Sequence, residues 1–195
     1  MSQKKIATNP LKLLVINGSF RESSLSGTFA QLFGRMAQST FDICHLGVRE
    51  LNLPNFDYEV AKHPQAQKFR AAIAKADGII LISPEYHGCV SGALKNSLDY
   101  IQHELANKPV GVLATAGSAK SGTNTLNTLR TICRSLRSHV LIEQISLSKE
   151  ELTSDKQLNE KTRERCEGMI NEMLDTIYRL NTYSETKETQ RFALA

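Results

Sequence analysis

The chain has 195 residues, and lysine plus arginine exceed aspartate plus glutamate by 24 − 20, which gives a formal net charge of +4. This length is that of a single domain that can bury a continuous core without disulfides or a structural metal. The small and scattered excess of positive charge argues against a nucleic-acid partner and favours, weakly, an anionic small-molecule ligand.

The N-terminal residues are charged and lead into the apolar run LKLLVI, residues 11–16. This run is too short, and too interrupted by Lys12, to be a signal peptide or a membrane span. We therefore expect a cytoplasmic protein without membrane contact.

Four cysteines, Cys44, Cys89, Cys133 and Cys166, lie far apart along the chain. No two of them have the close spacing of a redox or zinc pair. No two of the five histidines have the close spacing that would place both on one face of a helix, as in His-Glu-x-x-His. The sequence predicts unpaired, reduced thiols and no metal site.

Apolar runs alternate with amphipathic segments along the whole chain. The apolar runs are residues 11–16, 41–46, 78–83, 109–115 and 139–148, and the amphipathic segments are 25–36, 65–75, 91–105, 123–137 and 150 to about 180. The runs are nearly continuous in apolar residues rather than alternating, which is typical of strands buried on both faces. Five strand-helix repeats of this kind predict a parallel sheet covered by helices on both faces, an α/β fold.

The spacing of apolar residues supports this assignment of helices. Phe29, Leu32, Phe33 and Met36 occur at i, i+3, i+4 and i+7, and a comparable stripe runs through residues 91–105. Each stripe should face the sheet.

We expect one domain over residues 1–180. The polar segment 181–195 lacks periodicity, so disorder and contact with a partner are both open for it.

Ligands of open parallel sheets bind outside the carboxyl ends of the strands. The first loop at that edge, residues 18–27, combines four serines with one arginine just before a helix. Free N–H groups at a helix start, hydroxyl donors and a guanidinium suit a phosphate, with Ser19, Arg21, Ser24 and Ser26 as candidates. The alternative is a serine-rich N-cap beside an exposed arginine. The loop matches neither Gly-x-Gly-x-x-Gly nor a P-loop, which leaves the terminal phosphate of a mononucleotide.

The second loop, SPEYHGCVSG at residues 83–92, follows the most apolar run. Proline ends the strand, two glycines permit close backbone approach, and tyrosine and histidine offer flat surfaces for a planar ring. Alternatively, the tyrosine is a core or interface residue, the glutamate is solvated and the histidine lies on the surface. The candidate residues are Pro84, Glu85, Tyr86 and His87.

The third loop, residues 116–122, is again rich in glycine and serine and again precedes a helix. Its N–H groups could hold ring carbonyl oxygens, with Gly117 and Ser118 as candidates. The alternative is an ordinary Gly-Ser connection.

Three motifs together resemble a known family. They are Gly-Ser-x-Arg-x-x-Ser at 18–24, Ser-Pro-Glu-Tyr-His at 83–87 with Ser-Gly-Ala-Leu-Lys-Asn-Ser-Leu-Asp at 91–99, and Asn-Thr-Leu-Asn-Thr-Leu-Arg at 124–130. From about Leu11 to Leu152 the chain resembles the NADPH-dependent FMN reductase family, and within it the bacterial azobenzene reductases.

This resemblance implies a flavodoxin-like, doubly wound sheet of five parallel strands in the order 2-1-3-4-5, which binds FMN non-covalently. It also implies the roles of the site residues. Ser19, Arg21, Ser24 and Ser26 would hold the phosphate, Pro84, Glu85, Tyr86 and His87 would border the isoalloxazine, and Gly117 and Ser118 would lie near its pyrimidine edge. Ser26 and His87 stand where many relatives have asparagine.

The resemblance further implies an enzyme that transfers hydride from NADPH to FMN and then two electrons to an azo compound, a quinone, a flavin or a similar acceptor by a ping-pong mechanism. Because the cofactor carries this chemistry, no catalytic acid or nucleophile is expected among the side chains. A homodimer or homotetramer is implied as well.

Two other function classes remain open on the sequence. A flavodoxin-like FMN electron carrier would usually be strongly acidic and would have a Thr-x-Thr-Gly type of phosphate loop, whereas this chain is basic and lacks that loop. A flavodoxin-like interaction module without cofactor is disfavoured by the Arg21 and Tyr86 loops.

Overall fold

The computed structural model describes residues 10–117 and 121–193. Its main sheet has five parallel strands in the spatial order β2-β1-β3-β5-β6. The strands are β1 (Lys12–Asn17), β2 (Asp42–Gly47), β3 (Gly78–Tyr86), β5 (Pro109–Thr115) and β6 (His139–Leu147). A sixth strand, β4 (Cys89–Val90), is short and pairs only with β3. Without β4, the order in chain numbering is 2-1-3-4-5, so the predicted flavodoxin-like order is confirmed.

The described residues form six α-helices, of which α1 to α5 lie between strands and α6 follows the last strand. They are α1 (Leu25–Ala37), α2 (Val48–Leu51), α3 (Pro64–Lys75), α4 (Gly92–Asp99), α5 (Thr123–Ser135) and α6 (Glu160–Ala193). Within residues 10–117 and 121–193, no helix is both long enough and apolar enough to cross a membrane.

The helices cover both faces of the sheet, as predicted. Helices α2 to α5 pack on one face in a cluster that includes Leu14 and Phe69, and α1 and α6 pack on the other in a cluster that includes Leu13, Phe29 and Met173. Leu13 and Leu14 are neighbours in β1 and point to opposite faces because side chains alternate along a strand. Burial on both sides explains why the strands read as continuous apolar runs.

Two helices differ in extent from the sequence prediction. Helix α4 ends at Asp99 rather than near Leu105. Beyond it, the N–H groups of Gln102 and His103 donate to the Glu104 carboxylate, at 2.9 and 3.2 Å. These two N–H groups therefore do not form the backbone hydrogen bonds that would continue the helix. Leu105 is still buried, in a turn.

Helix α6 begins at Glu160, later than predicted, and continues to Ala193. Residues 150–158 instead form a short 3-10 turn and an isolated bridge between Leu152 and Leu158. Between residues 181 and 193 the sequence holds neither proline nor glycine, so nothing local stops helix propagation. The polar segment after residue 180 is therefore helical as far as Ala193.

The turn between β3 and β4 consists of His87 and Gly88. Tyr86 pairs with Cys89 across the turn, and both turn residues have positive φ, 52° and 74°. Positive φ at both central residues is the signature of a type I′ hairpin turn, for which Asn-Gly is a preferred sequence. The backbone conformation of this loop is therefore explained by the turn itself and does not require a ligand.

We expect His87→Asn to raise the free energy of unfolding of the cofactor-free protein by about 0.5 kcal/mol, because asparagine is better suited to the first position of this turn. Urea denaturation measures the change. His103→Asn, at a residue without positive φ, is the matched control and should change stability little. A loss of stability at His87, or an equal gain at both positions, would contradict the assigned turn.

Candidate active site

A cavity of about 350 Å³ lies at the carboxyl edge of the sheet. It is bordered by the segments that follow β1, β5 and β6 and by the last residues of β3, which runs through Pro84 to Tyr86 instead of ending at the proline as predicted. The lining residues are Ser19, Arg21, Ser24, Leu25, Ser26, Pro84, Glu85, Tyr86, Thr115, Ala116, Gly117 and Lys149.

Eight of the ten residues that the sequence predicted line this one cavity. They are Ser19, Arg21, Ser24, Ser26, Pro84, Glu85, Tyr86 and Gly117. His87 does not line it; its side chain is exposed in the hairpin turn. Ser118 lies outside the described residues. The folded chain thus brings together all three loops that were selected separately from the sequence.

The first loop leaves β1 through Gly18, which lies tightly against the neighbouring strand. Its N–H donates to the Ile82 carbonyl at 2.7 Å. A Cβ at this position would stand 2.8 Å from Leu94 Cδ2 and 2.9 Å from that carbonyl oxygen. Glycine is therefore required for the close approach.

After Gly18 the loop is held by short-range hydrogen bonds. The Ser19 N–H donates to Asn17 Oδ1 at 3.1 Å, and the Arg21 N–H donates to Ser19 Oγ at 3.2 Å. Ser19 is buried while Arg21 is exposed. The backbone is ordered locally, and the Arg21 guanidinium stays on the surface of the cavity.

Ser24 is the N-cap of α1, as the alternative interpretation of the serine-rich loop proposed. Its Oγ accepts the Gly27 N–H at 3.0 Å. The hydroxyl can still donate its own hydrogen to an anion. Capping and phosphate contact are thus compatible at this residue.

Ser26 differs from Ser24, because its hydroxyl is fully buried and has no hydrogen-bond partner among the described residues. A buried hydroxyl without a partner costs free energy, on the order of 1–3 kcal/mol. The N–H groups of Leu25 and Ser26 likewise donate to no described residue, and the first turn of α1 contains no acidic residue. These unpaired donors at a helix N-terminus fit an anion such as a phosphate.

Glu85 holds the second and third loops together. Its carboxylate accepts the Gly122 N–H at 3.1 Å, and the Thr125 N–H and Oγ1 at 3.4 and 3.0 Å. Helix α5 has no side-chain cap of its own at Gly122. A carboxylate at the N-terminus of a helix is favourable for both hydrogen bonding and the helix dipole. The Glu85 carboxylate is therefore hydrogen-bonded to the start of α5. The alternative interpretation, in which this side chain is simply a solvated acid, is wrong.

Two buried serines, which the sequence analysis missed, connect the first and second loops. Ser91 Oγ donates to the Gly18 carbonyl at 2.5 Å and accepts the Leu94 N–H at 3.2 Å. The Ser91 N–H donates to Ser83 Oγ at 3.1 Å. A serine directly before a helix is an N-cap signal, so the cap of α4 could have been found, but its contact with Gly18 could not.

The third loop presents open backbone to the cavity at Gly117. A Cβ built there would meet no atom of the described residues within 4 Å, so the described chain leaves this space open. Gly122, at the end of this loop, has φ of 99°, and a Cβ there would lie 2.3 Å from Ser146 Oγ. The loop needs glycine at Gly122 for its own backbone, whereas Gly117 is not needed for packing within the described chain.

The cavity also holds residues that no motif indicated, namely Leu25, Thr115, Ala116 and Lys149. Lys149 is the second residue after β6. The sequence feature that could have indicated Lys149 is its position just beyond the last strand, because all parallel strands end at the same edge of the sheet.

Thiol chemistry and metal chemistry find no support in the arrangement. Cys133 and Cys166 are buried, and burial raises the pKa of each thiol to about 12. Cys44 and Cys89 are exposed but do not line the cavity. Among the side chains that the structure describes, those of residues 10–117 and 121–183, no group of three or more His, Cys, Asp or Glu could hold a metal ion.

The chain is similar to known proteins over most of its length. A family model described as NADPH-dependent FMN reductase matches residues 11–151. The NADPH azoreductase of Bacillus sp. (strain OY1-2) is 34% identical over 138 residues, which are 70% of this chain and 76% of that protein. The 2-hydroxy-1,4-benzoquinone reductase of Burkholderia sp is 30% identical over 128 residues, 63% of this chain and 70% of that protein.

A solved structure has the same fold. FerB, a flavoenzyme NAD(P)H:(acceptor) oxidoreductase from Paracoccus denitrificans, superposes with a TM-score of 0.72 and 20% identity, and the match covers 87% of this chain and 98% of that one. The family match spans all the strands and the three loops of the cavity. The chain therefore belongs to the NADPH-dependent FMN reductase family, and it is an oxidoreductase whose cofactors are FMN and NADPH.

Proposed function

We propose that the chain binds FMN in the cavity and works by a ping-pong mechanism, in which NADPH and an azo compound, quinone or similar acceptor use the same exposed side of the site in turn. The observation that carries this proposal is the unpaired hydroxyl of Ser26, fully buried and lining the cavity at the N-terminus of α1. Acceptors of these two kinds are suggested by the names of the azoreductase and benzoquinone reductase relatives.

The phosphate would be held by Ser19, Arg21, Ser24 and Ser26. The Ser26 hydroxyl and the free N–H groups of Leu25 and Ser26 would gain an acceptor, and the Arg21 guanidinium would add a charged, bidentate contact. Each of these groups lines the cavity and lacks an acceptor among the described residues. The N–H groups of Leu25 and Ser26 are in place before any ligand arrives, whereas the Ser26 hydroxyl is fully buried and would meet a phosphate oxygen after a local rearrangement.

The ring would be bordered by Pro84, the backbone of Glu85, and Tyr86, with Gly117 and Ser118 at the pyrimidine edge. The Glu85 carboxylate is engaged with α5, so its side chain would act by positioning the third loop rather than by touching the ring. Tyr86 is 42% exposed, which leaves a face of the site open to NADPH and the acceptor. His87 would contribute through the turn rather than through its imidazole.

FMN, when bound, supplies the redox chemistry, because it takes a hydride from NADPH and passes two electrons to the acceptor. The residues of this chain would bind and orient. No acid, base or nucleophile of the chain is required, in keeping with the small number of titratable groups in the cavity, which are Arg21, Glu85, Tyr86 and Lys149.

A carrier that passes single electrons between proteins is the second candidate. Its support would be an acidic docking surface, whereas this chain has a net charge of +4.

The cytoplasm is proposed as the location on the ground that all four cysteines are free, which suits a reducing compartment. A homodimer or homotetramer is proposed from the resemblance alone.

Stopped-flow mixing tests the proposed function. The purified protein should be yellow and release FMN on denaturation, and NADPH should bleach the bound flavin. A second mix with an azo dye or a quinone should restore the colour without NADPH being present. A flavin that neither NADPH nor NADH bleaches would point to the carrier, and a protein that takes up no added FMN would exclude both functions.

The role of Glu85 in positioning gives a second prediction. Glu85→Gln keeps an acceptor but removes the charge at the start of α5, so we expect a loss of about 1 kcal/mol in the free energy of unfolding. Amide hydrogen exchange at Gly122 and Thr125 should become faster. Glu164→Gln, at an exposed position of α6, is the control. Unchanged exchange at these two amides would show that the carboxylate does not hold the helix.

A further inference from the structure

Lys149 is the one described cavity residue that follows β6, and it belongs to none of the three loops. It follows β6 by two residues and lines the cavity together with Arg21, Ser24 and Ser26. The side chain is exposed. Among the residues that the structure describes, neither Lys149 nor Arg21 forms an ion pair.

The backbone at Lys149 is fixed by the preceding residue. Ser148 is buried and forms a capping box with Glu151, in which Ser148 Oγ and N both donate to the Glu151 carboxylate. The Glu150 N–H donates to Ser148 Oγ at 3.1 Å. This turn thus holds the backbone of Lys149 at a defined place, and the carboxylate of Glu151 is already engaged with Ser148.

The same turn lies on the same face of the sheet as α1. Leu25, in the first turn of α1, and Leu152, at the end of the turn after β6, both pack against the hydrophobic cluster that contains Leu147. The Ala116 N–H donates to the Leu147 carbonyl at 2.8 Å, which ties this segment to the third loop. Lys149 therefore follows a segment that is anchored on the α1 face, and it lines the same cavity as the unpaired donors of α1.

A terminal phosphate carries close to two negative charges at neutral pH. Arg21 supplies one positive charge, and the glutamate of the cavity, Glu85, is turned toward α5. We propose that the Lys149 ammonium is the second cation of the phosphate site, so that the charge of an FMN phosphate is balanced by Arg21 and Lys149 together. This inference rests on the proposed function and adds to it a residue that selects phosphorylated flavin over riboflavin.

Flavin titration of the cofactor-free protein tests the inference, with FMN and riboflavin as the two probes and flavin fluorescence as the readout. Lys149→Gln should raise the dissociation constant for FMN by about tenfold, the lower end for a charged hydrogen bond, because the ammonium is exposed. The dissociation constant for riboflavin should not change. The FMN affinity of the variant should also depend less steeply on salt.

Three variants complete the experiment. Lys75→Gln removes the same charge from an exposed residue at the opposite edge of the sheet, at the end of α3, and should leave FMN binding unchanged. Lys149→Arg should bind FMN nearly as well as the unmodified chain, and Arg21→Ala, the positive control, should weaken FMN more than Lys149→Gln does.

Two outcomes would overturn the inference and leave the proposed function intact. Equal losses for FMN and riboflavin in Lys149→Gln would place the ammonium at the ring, and an FMN affinity equal to that of Lys75→Gln would remove Lys149 from the site. If the unmodified chain itself failed to bind FMN, the proposed function would fall, and this inference with it.

Discussion

At the amino end of α1, the buried Ser26 hydroxyl and the first free N–H groups of the helix have no acceptor within the described chain. A fold does not leave a buried donor unpaired without cost. Here the unpaired donors line a cavity that is also lined by Arg21, with its guanidinium, and Lys149, with its ammonium group. An anion with several acceptor oxygens would remove this cost, and this requirement is the reason we propose a phosphorylated ligand for the site.

The rest of the molecule keeps that cavity in shape. Parallel strands bring the four strand ends to one edge, and the loops are then cross-linked by buried or half-buried polar groups. Ser91 joins the second loop to Gly18, and Glu85 joins it to the start of α5. Both links are made by the chain alone, so the parts of the loops that the structure describes are joined without a ligand, and we propose that little binding energy is spent on ordering them.

Much of this could be predicted from the sequence, because burial on both faces gives each strand a continuous apolar run and ligand loops follow strands. The end of α4 could not, since it depends on the Glu104 carboxylate competing for two N–H groups. His87 was assigned to the ring because its imidazole is flat and because it belongs to the Ser-Pro-Glu-Tyr-His motif, yet it lies in a turn with positive φ and does not line the cavity. Lys149 was missed because no motif surrounds it, and only the folded chain places it in the same cavity as the start of α1.

The measurement that bears most directly on the central claim is a crystal structure of the protein grown with FMN. The account predicts a phosphate oxygen within hydrogen-bond distance of Ser26 Oγ and of the Leu25 or Ser26 N–H, with the ring beside Tyr86. A flavin bound elsewhere on the chain, or a cavity closed by side chains with the Ser26 hydroxyl donating to a protein group, would contradict it.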